Sequence, residues 1–286
     1  MKRPTGADLY DRAAARASHA VLSEYSTSFG LGSRLLGPSM RRHIEAVYGL
    51  VRIADEIVDT YRGPGAGEAL DRLEAEATSA VATGWSSDLV VHSFARTARA
   101  VDIRDTETVP FFDSMRMDLT VRAHDKASYE RYVYGSAEVV GLMCLQVFLN
   151  AAGKFPGEEP RRPDASTAQG AQALGAAFQK INFLRDLRED AELGRSYFPG
   201  VRPDTFDQET LDMLLAEIRT DVADARAALP ALARRPRAAV AATLALYDRL
   251  LTRLEAASPE DLWNRRVRVP DAEKLAVAAF AAVRAR

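Results

Sequence analysis

The spacing of apolar residues is the feature of this chain that most restricts its fold. Apolar residues recur every three or four positions along nearly all of the 286 residues, whereas alternating β-branched patterns are almost absent. The sequence therefore predicts an all-α protein, and its length suits one large helical domain spanning residues 1–286. Glycine and proline predict an irregular segment at 25–37. The predicted helices cover residues 13–24, 38–59, 69–83, 89–101, 110–119, 128–153, 167–193, 208–229, 237–256 and 272–284.

The predicted helix 167–193 carries three oxygen-bearing side chains at four-residue steps, Asn182, Asp186 and Asp190. Residues four apart lie on one face of an α-helix, so this face offers the oxygen ligands that a hard cation prefers. On this stretch alone a second interpretation is equally open. The two aspartates could be solvated carboxylates paired with arginines of the same segment.

A second acidic pair, Asp55 and Asp59, has the same four-residue spacing in the predicted helix 38–59. Apolar residues surround this pair, and a buried carboxylate is unfavourable unless it is paired or bound to a metal. Two such helices, distant in sequence, could face each other across a cavity and hold divalent cations between them. We therefore predict a Mg²⁺ or Mn²⁺ site in which the cation is bound both by these side chains and by the oxygens of a bound diphosphate.

Composition excludes several classes of protein. The net charge of −2 and the pI of about 6.2 argue against a nucleic-acid partner. Cys144 is the only cysteine, so an intrachain disulfide is impossible and a reducing cytoplasm is the expected compartment. We find no signal peptide and no apolar run of bilayer-spanning length. The four histidines form no zinc-binding spacing, and nucleotide-binding glycine motifs are absent from the sequence.

Other side chains could assist diphosphate chemistry, although each has a commoner structural role. Arg52, three residues before Asp55, and Arg185, next to Asp186, could bind phosphate oxygens, although an arginine in such a position is more often an ordinary surface ion-pair partner. Ser26 and Ser28 could donate to phosphate, but a serine pair beside glycine usually marks a turn. Aromatic residues usually pack in the core, yet a carbocation enzyme needs their π-faces.

Seven motifs occur together in one order along nearly the whole chain. They are Tyr25-Ser-Thr-Ser-Phe29, Asp55-Glu-Ile-Val-Asp59, Ser114-Met-Arg-Met-Asp-Leu119, Val140-Gly-Leu-Met143, the Gln179 to Asp190 run, Arg195-Ser-Tyr-Phe-Pro199 and Arg266-Val-Arg-Val269. This ordered set resembles the squalene and phytoene synthase family, the head-to-head prenyl synthases. The resemblance implies an all-α isoprenoid-synthase fold, with acidic helices closing one end of a central cavity.

The resemblance also implies roles for individual residues. The magnesium-binding positions it implies are Asp55, Asp59, Asn182, Asp186 and Asp190. The positions that contact diphosphate or order the site are Ser26, Ser28, Arg52, Gln179, Arg185 and Arg266. The aromatic cavity positions are Phe29, Tyr48, Tyr132 and Tyr247. Local similarity is thinnest around Tyr247 and Arg266.

The implied reaction joins two prenyl diphosphates through a cyclopropylcarbinyl diphosphate. The residues of these motifs are most similar to those of bacterial members that make phytoene from geranylgeranyl diphosphate. That reaction is a step of carotenoid biosynthesis and needs no NADPH. Alternatives are squalene or dehydrosqualene from farnesyl diphosphate, a cyclic terpene, or a non-catalytic assembly factor. Because the hydrocarbon product partitions into lipid, we expect a cytoplasmic protein that transiently contacts the inner face of the membrane.

One residue departs from the family pattern. Glu138 stands where the family usually has a small residue, in a helix expected to line the cavity. If its carboxylate faces the cavity, it could shorten the chain-binding tunnel or act as a base, whereas an outward-facing Glu138 would have no such role.

Overall fold

A computed structural model of the chain describes residues 5–61, 63–151, 159–270, 272–274 and 276–277. The described residues form twelve α-helices and no β-strand, which confirms the all-α prediction; an isolated bridge pairs Ala123 with Ser196. The helices are α1 (Gly6–Tyr25), α2 (Thr27–Ser33), α3 (Pro38–Glu56), α4 (Ala66–Thr83), α5 (Leu89–Val101), α6 (Asp105–Thr120), α7 (Lys126–Val133), α8 (Val139–Asn150), α9 (Ala165–Glu192), α10 (Gln208–Ala228), α11 (Arg234–Glu255) and α12 (Pro259–Asn264).

Two segments continue a helix with π-type hydrogen bonding. The first π turn (Ile57–Tyr61) follows α3, and the second π turn (Tyr134–Glu138) joins α7 to α8. A π turn accommodates one more residue than an α-helical turn, and such turns occur frequently at functional sites. Both π turns lie within or beside motifs that the sequence singled out.

Side-chain caps define where several helices begin. Asp88 accepts hydrogen bonds from the Val90 and Val91 amides at 2.8 and 2.9 Å, and Asp164 accepts one from the Thr167 amide at 2.7 Å. Such caps satisfy amide groups that have no partner in the first helical turn. Helices α3 and α11 differ, because their N-cap residues, Gly37 and Ala233, supply no capping side chain.

The segment predicted to be irregular, 25–37, contains helix α2. Ser26 caps this helix, its Oγ accepting from the Phe29 amide at 3.1 Å. Gly32, interpreted from the sequence as a breaker, instead permits close packing. A Cβ atom there would lie only 2.2 Å from Oγ1 of Thr243 on α11. The glycine therefore serves a helix contact, which sequence spacing alone does not distinguish from a turn.

Two other helix predictions need correction or fall outside the description, and one helix was not predicted. Helix α6 begins at Asp105 rather than Pro110, because Glu107 accepts a hydrogen bond from the Arg104 amide at 2.8 Å and caps an earlier start. Helix α12 was not predicted, although Ser258 caps it through the Asp261 amide at 3.1 Å. Most of the predicted helix 272–284 lies outside the described residues.

Helix α9 is the central element of the fold. It packs against α8, α10, α11, α12 and the second π turn. Two glycines allow the closest of these approaches: a Cβ at Gly175 would lie 2.3 Å from the Ala137 carbonyl oxygen, and one at Gly141 would lie 2.3 Å from that of Ala171. The backbone of α9 therefore lies directly against the second π turn and α8.

The helical segment Lys126–Asn150, 25 residues long, is apolar enough to cross a bilayer by length and composition. The expectation that no stretch reaches this length is thus wrong on that measure. Half of its most apolar window is buried against the rest of the protein, however, and buried core helices pass the same test.

Candidate active site

Arg195 joins the two acidic motifs. Its Nη1 donates to Asp59 Oδ1 at 2.6 Å, and its Nη2 donates to the carbonyl oxygens of Val58 and Asp118, each at 3.0 Å. Arg195 lies three residues after the end of α9 and is only 6% exposed. The guanidinium therefore holds the first π turn, with Asp59, against the end of the helix that carries Asp190.

Asp55 and Asp59 lie in backbone segments of different hydrogen-bonding type. Asp55 is in the last turn of α3, which ends at Glu56, whereas Asp59 lies within the first π turn. The extra residue of a π turn changes the direction of the side chains that come after it. The predicted helix is therefore present, but its backbone hydrogen bonding changes from α-type to π-type between Asp55 and Asp59.

Several of the acidic side chains have an arginine partner. Arg52 Nη1 lies 3.3 Å from Asp55 Oδ2 and also pairs with Glu56. Arg185 Nη2 lies 2.5 Å from Asp186 Oδ2, and Arg266 Nε lies 3.0 Å from Asp186 Oδ1. Arginines that could bind phosphate therefore compensate the carboxylates that could bind metal.

The carboxylates of the two motifs repel one another. Burial, together with the negative charges of Asp59 and Asp118, raises the pKa of Asp55 from an ordinary value of 3.8 to about 7. Burial and the charges of Asp186, Asp59 and Asp118 likewise raise the pKa of Asp190 to about 7. Like charges add to the effect of burial only when they lie close together, so the two motifs form one acidic cluster.

The side chains of this cluster suit a cation that takes some of its ligands from the protein and the rest from the substrate. Among the described residues, no three histidine, cysteine, aspartate or glutamate side chains lie close enough together to hold an ion by themselves. Mg²⁺ in phosphate sites commonly takes one or two carboxylates and completes its shell with phosphate oxygens and water. Asn182 Oδ1 is buried and accepts no hydrogen bond in the described structure, so it is available as a further oxygen ligand.

Asp118 forms a buried network that the sequence interpretation missed. It is 5% exposed and accepts hydrogen bonds from the hydroxyl groups of Tyr132 and Tyr197, each at 2.8 Å. Burial raises its pKa to about 6, although Arg195 and the two tyrosines lower it. A signal was present, because Asp118 lies between Met117 and Leu119 in an apolar helical stretch, as Asp55 does among its neighbours.

The predicted aromatic residues fall into two groups. Tyr247 stacks on Phe178 at a centroid distance of 3.8 Å, and Phe29 contacts both Phe178 and Tyr48 at about 6 Å. Tyr132 belongs instead to the Asp118 network. The amide of Asn182 lies within hydrogen-bonding reach of the Tyr247 hydroxyl, which connects the first group to α9.

The remaining predicted residues vary in how directly the structure places them at the site. Ser26 Oγ accepts the capping hydrogen bond of α2 and keeps its own O–H as a donor, and the side chain of Ser28 lies outside the described part of the structure. Gln179 is half-buried on α9 one turn before Asn182. Arg52 also lies over the ring of Tyr25, 4.4 Å from its centroid. The roles of these residues stay predictions.

A cavity of about 630 Å³ adjoins Arg185 and Tyr247. Arg266, Arg268 and Lys274 add positive charge to its wall. Apolar side chains are interspersed with them, and the described lining residues are Arg185, Leu246, Tyr247, Leu250, Arg266, Val267, Arg268, Val269, Pro270 and Lys274. Such a cavity suits an anionic ligand with an apolar portion.

Glu138 contacts helix α9 through Gln172. Its Oε2 accepts a hydrogen bond from Gln172 Nε2 at 3.1 Å. Burial raises its pKa, while Gln172 and the charge of Lys180 lower it and Asp221 raises it. None of these groups belongs to the acidic cluster, and Lys180 is itself paired with Asp221 on α10 at 2.7 Å. Glu138 is therefore directed toward α9 and α10.

Solved structures of other proteins share this fold. A ligand-bound dehydrosqualene synthase superimposes with a TM-score of 0.79 at 20% identity, covering 96% of this chain and 98% of that one. A squalene synthase from Alicyclobacillus acidocaldarius gives a TM-score of 0.75 at 18% identity, over 87% of this chain and 95% of that one. The fold is thus the all-α fold seen in these synthases.

Sequence comparison identifies the family. The squalene/phytoene synthase family model matches residues 22–273. The 15-cis-phytoene synthase of Synechocystis sp. is 34% identical over 89% of this chain and 80% of that protein. The chloroplastic phytoene synthase of Daucus carota is 32% identical over 89% of this chain and 66% of that protein. The chain belongs to the squalene/phytoene synthase family, as the resemblance of its motifs predicted.

Proposed function

We propose that this chain is a prenyltransferase that condenses two molecules of geranylgeranyl diphosphate head to head to phytoene. The observation that carries the proposal is the convergence of carboxylates from two distant segments into one acidic cluster, beside a cavity lined with arginine. The phytoene synthases of Synechocystis sp. and Daucus carota among its relatives support the choice of product. In the balanced reaction two prenyl chains are joined, and two diphosphates and two protons are released, one proton on forming the cyclopropane and one on forming the final double bond.

The acidic cluster would hold Mg²⁺ or Mn²⁺ through Asp55, Asp59, Asn182, Asp186 and Asp190. When bound, the cation would neutralise the developing charge on the departing diphosphate. The support is the repulsion among these carboxylates, which adds to burial in raising the pKa of Asp55 and of Asp190. The buried, unpartnered Oδ1 of Asn182 adds a neutral oxygen in the same place.

The arginines would bind the diphosphate and orient it. Arg185 and Arg266 both pair with Asp186, and Arg266 also contacts Glu189 at 2.7 Å. Both line the cavity, so an entering diphosphate could take over their donors in a two-point contact. This exchange would free Asp186 at the moment when a cation needs its oxygens.

The aromatic and apolar side chains would protect the reacting carbon atoms. Departure of an allylic diphosphate leaves a carbocation, which ring faces stabilise and which water would quench. The stacked pair of Tyr247 and Phe178 lies beside Arg185 and Asn182, where positive charge would develop. The Asp118 network would hold the Tyr132 hydroxyl in one orientation.

A second candidate function is the formation of dehydrosqualene or squalene from farnesyl diphosphate. Its support is the fold, since solved dehydrosqualene and squalene synthases superimpose on most of the chain. Squalene formation would require hydride from NADPH, whereas phytoene and dehydrosqualene form by proton loss. A cyclic terpene product and a non-catalytic role are further outcomes that the same test distinguishes.

The test is an incubation of the purified protein with Mg²⁺ and either geranylgeranyl or farnesyl diphosphate, each with and without NADPH. Hydrocarbons are extracted and analysed by mass spectrometry. We expect phytoene from geranylgeranyl diphosphate, with no dependence on NADPH and with loss of product when EDTA is added. A product from farnesyl diphosphate alone, a cyclic product, or no product would overturn the phytoene assignment.

A further inference from the structure

The indole nitrogen of Trp263 is buried, yet it has no hydrogen-bond acceptor among the described residues. Trp263 lies in α12, and its ring packs edge to face on Phe206 with the ring centroids 6.2 Å apart. This packing accounts for the apolar part of the ring but not for its N–H group. Because a buried donor without an acceptor is unfavourable, native structures rarely keep one without a further partner.

Arg195 contributes a second donor of this kind. Its Nη1 and Nη2 atoms bind Asp59 and the carbonyl oxygens of Val58 and Asp118, as described above. Its Nε is also buried and has no acceptor in the described part of the chain. Since Arg195 is only 6% exposed, bulk solvent does not satisfy this donor.

Trp263 and Arg195 line the same small cavity, which has a volume of about 10 Å³. That volume suits a single water molecule, which makes about three hydrogen bonds when it is buried. The hydroxyl groups of Ser196 and Tyr197, which also line the cavity, already donate to other oxygens at 2.8 Å. The two unpartnered N–H groups therefore need an acceptor that a water oxygen can supply.

Asp190 is the remaining polar residue of the cavity wall. Its backbone carbonyl oxygen accepts a hydrogen bond from the Arg195 amide at 2.8 Å, which keeps the two residues side by side. Its carboxylate makes no hydrogen bond or ion pair with a described residue. A water molecule that accepts from the two N–H groups still has its own protons to donate, and this carboxylate can accept one.

We propose that one water molecule in this cavity accepts hydrogen bonds from Trp263 Nε1 and Arg195 Nε and donates one to the Asp190 carboxylate. The three hydrogen bonds match the usual number for a buried water molecule and satisfy both unpartnered donors. Trp263 is therefore a positioning residue, which acts on Asp190 through the water molecule. This inference rests on the proposed function, in which Asp190 is a ligand of the cation.

The water molecule restricts the rotation of a carboxylate that has to meet a cation. A hydrogen bond to one oxygen of Asp190 leaves the second oxygen for the metal. Hydrogen-bond partners of metal ligands commonly change metal affinity by about 10- to 100-fold when they are removed. The indole N–H is suited to this role because it donates without adding a charge to the acidic cluster.

Trp263 also anchors the segment that carries Arg266. Arg266 lies three residues further along the chain and pairs with Asp186 at 3.0 Å and with Glu189 at 2.7 Å. Helix α12, which contains Trp263, packs on α9, which carries both of these carboxylates. The indole ring therefore connects Asp190, proposed to hold the cation, with the segment of an arginine proposed to hold the diphosphate.

The first test detects the water molecule by NMR. The chain has two tryptophans, so an isotope-labelled sample gives two indole N–H signals, which Trp85→Phe assigns. We expect the Trp263 signal to show a nuclear Overhauser effect to a water molecule that exchanges more slowly than surface water. Trp85 is 58% exposed and should show no such effect. The effect should persist in Ser196→Ala and in Tyr197→Phe, each of which removes a hydroxyl proton that could imitate water.

The second test measures the cation requirement without turnover. Trp263→Phe keeps an aromatic ring and removes the N–H group. In the presence of inorganic diphosphate, the Mg²⁺ concentration that gives half of the thermal stabilisation should rise about 10-fold. Trp85→Phe is the same substitution at an exposed position, and it should leave that concentration unchanged.

The proposal is overturned if the Trp263 indole shows no effect to a slowly exchanging water molecule, or if the two phenylalanine variants require the same Mg²⁺ concentration. The NMR measurement uses the wild-type protein, so it decides the water bridge even where Trp263→Phe does not fold. It needs neither Mg²⁺ nor substrate, so it succeeds or fails independently of the hydrocarbon assay.

Discussion

Arg195 and Asp59 are 136 residues apart in sequence, yet their side chains meet at 2.6 Å. The contact is asymmetric in burial, since the arginine side chain is 5% exposed and the aspartate side chain 42%. Arg195 also binds two backbone carbonyl groups of different elements. This single side chain therefore fixes the distance between the two acidic motifs before any cation or substrate binds.

Replacing Arg195 by methionine should destabilise the protein by about 3–5 kcal/mol, because Asp118 would lose its compensating charge in a buried setting and two carbonyl groups would lose a donor. Urea unfolding measures the change. Arg202→Met in the neighbouring loop removes an exposed arginine and should change stability by less than about 0.5 kcal/mol. Equal effects of the two substitutions would contradict the role assigned to Arg195.

Asp55→Asn and Asp186→Asn should each lower turnover by about 100-fold or more, since each removes charge that holds the cation beside the leaving diphosphate. The unfolding midpoint should fall little, because apolar burial holds the helices. Asp113→Asn, at an exposed position on α6, is the matched control. Turnover near the wild-type rate in either test variant would refute the metal assignment.

Tyr132→Phe and Tyr197→Phe should each weaken the Asp118 network. A hydrogen bond to a charged buried group contributes about 1.5–3 kcal/mol, so each variant should lose stability in that range. Because both hydroxyl groups bind the same carboxylate, the double variant should differ from the sum of the single ones. Urea unfolding of all four proteins measures this coupling, and strict additivity would show that the two hydrogen bonds act independently.

The pKa values of Asp55 and Asp190, both about 7, predict how stability depends on pH. The unfolded chain releases these protons near pH 3.8, whereas the folded protein retains them to about pH 7. The metal-free protein should therefore lose the stabilisation from these groups as pH rises through that interval. A double variant, Asp55→Asn with Asp190→Asn, should lack this loss.

Mg²⁺ binds the charged carboxylates, so it should stabilise the wild type more at about pH 8 than at about pH 5. Calorimetric unfolding of the wild type and of the Asp55→Asn, Asp190→Asn double variant, each with and without Mg²⁺, measures these differences in stability. Stabilisation by Mg²⁺ that is as large at the lower pH would exclude these aspartates as the ligands.

Glu138→Ala should leave the hydrocarbon product unchanged. The Glu138 carboxylate binds Gln172 and is directed toward α9 and α10 rather than toward the acidic cluster. Mass spectrometry of the products from geranylgeranyl diphosphate gives the comparison, with Gln172→Ala as the control that removes the same hydrogen bond. A shift of product length in Glu138→Ala alone would show that the residue limits the prenyl chain after all.

The sequence predicted the helical class and most long helices because burial of an apolar helical face has a clear period. It predicted α9 closely, since Asp164 caps its start and the pattern persists for 28 residues. It failed at α2 and α6, where glycine and proline serve packing or lie inside a helix. These roles are set by contacts with other elements, such as the close packing of Gly32 against Thr243 on α11. The local sequence pattern around a glycine or proline does not indicate which distant residue it will contact.

The candidate site was predicted only in part for the same reason. The acidic residues could be singled out, because carboxylates among apolar residues are locally anomalous. Arg195 and Asp118 could not be paired with Asp59 or Tyr132 from sequence, since those contacts join elements that are far apart in the chain. The roles of the predicted site residues, and the single-domain organisation, stay predictions.

The first π turn limits how this protein can change in length. A π turn is equivalent to an α-helix with one inserted residue. Deleting one residue between Ile57 and Tyr61 would restore α-helical geometry and rotate the downstream chain by about 100° relative to α3. Asp59 would then leave the reach of Arg195. Point substitutions can be absorbed here, but a single-codon deletion would separate the two halves of the acidic cluster.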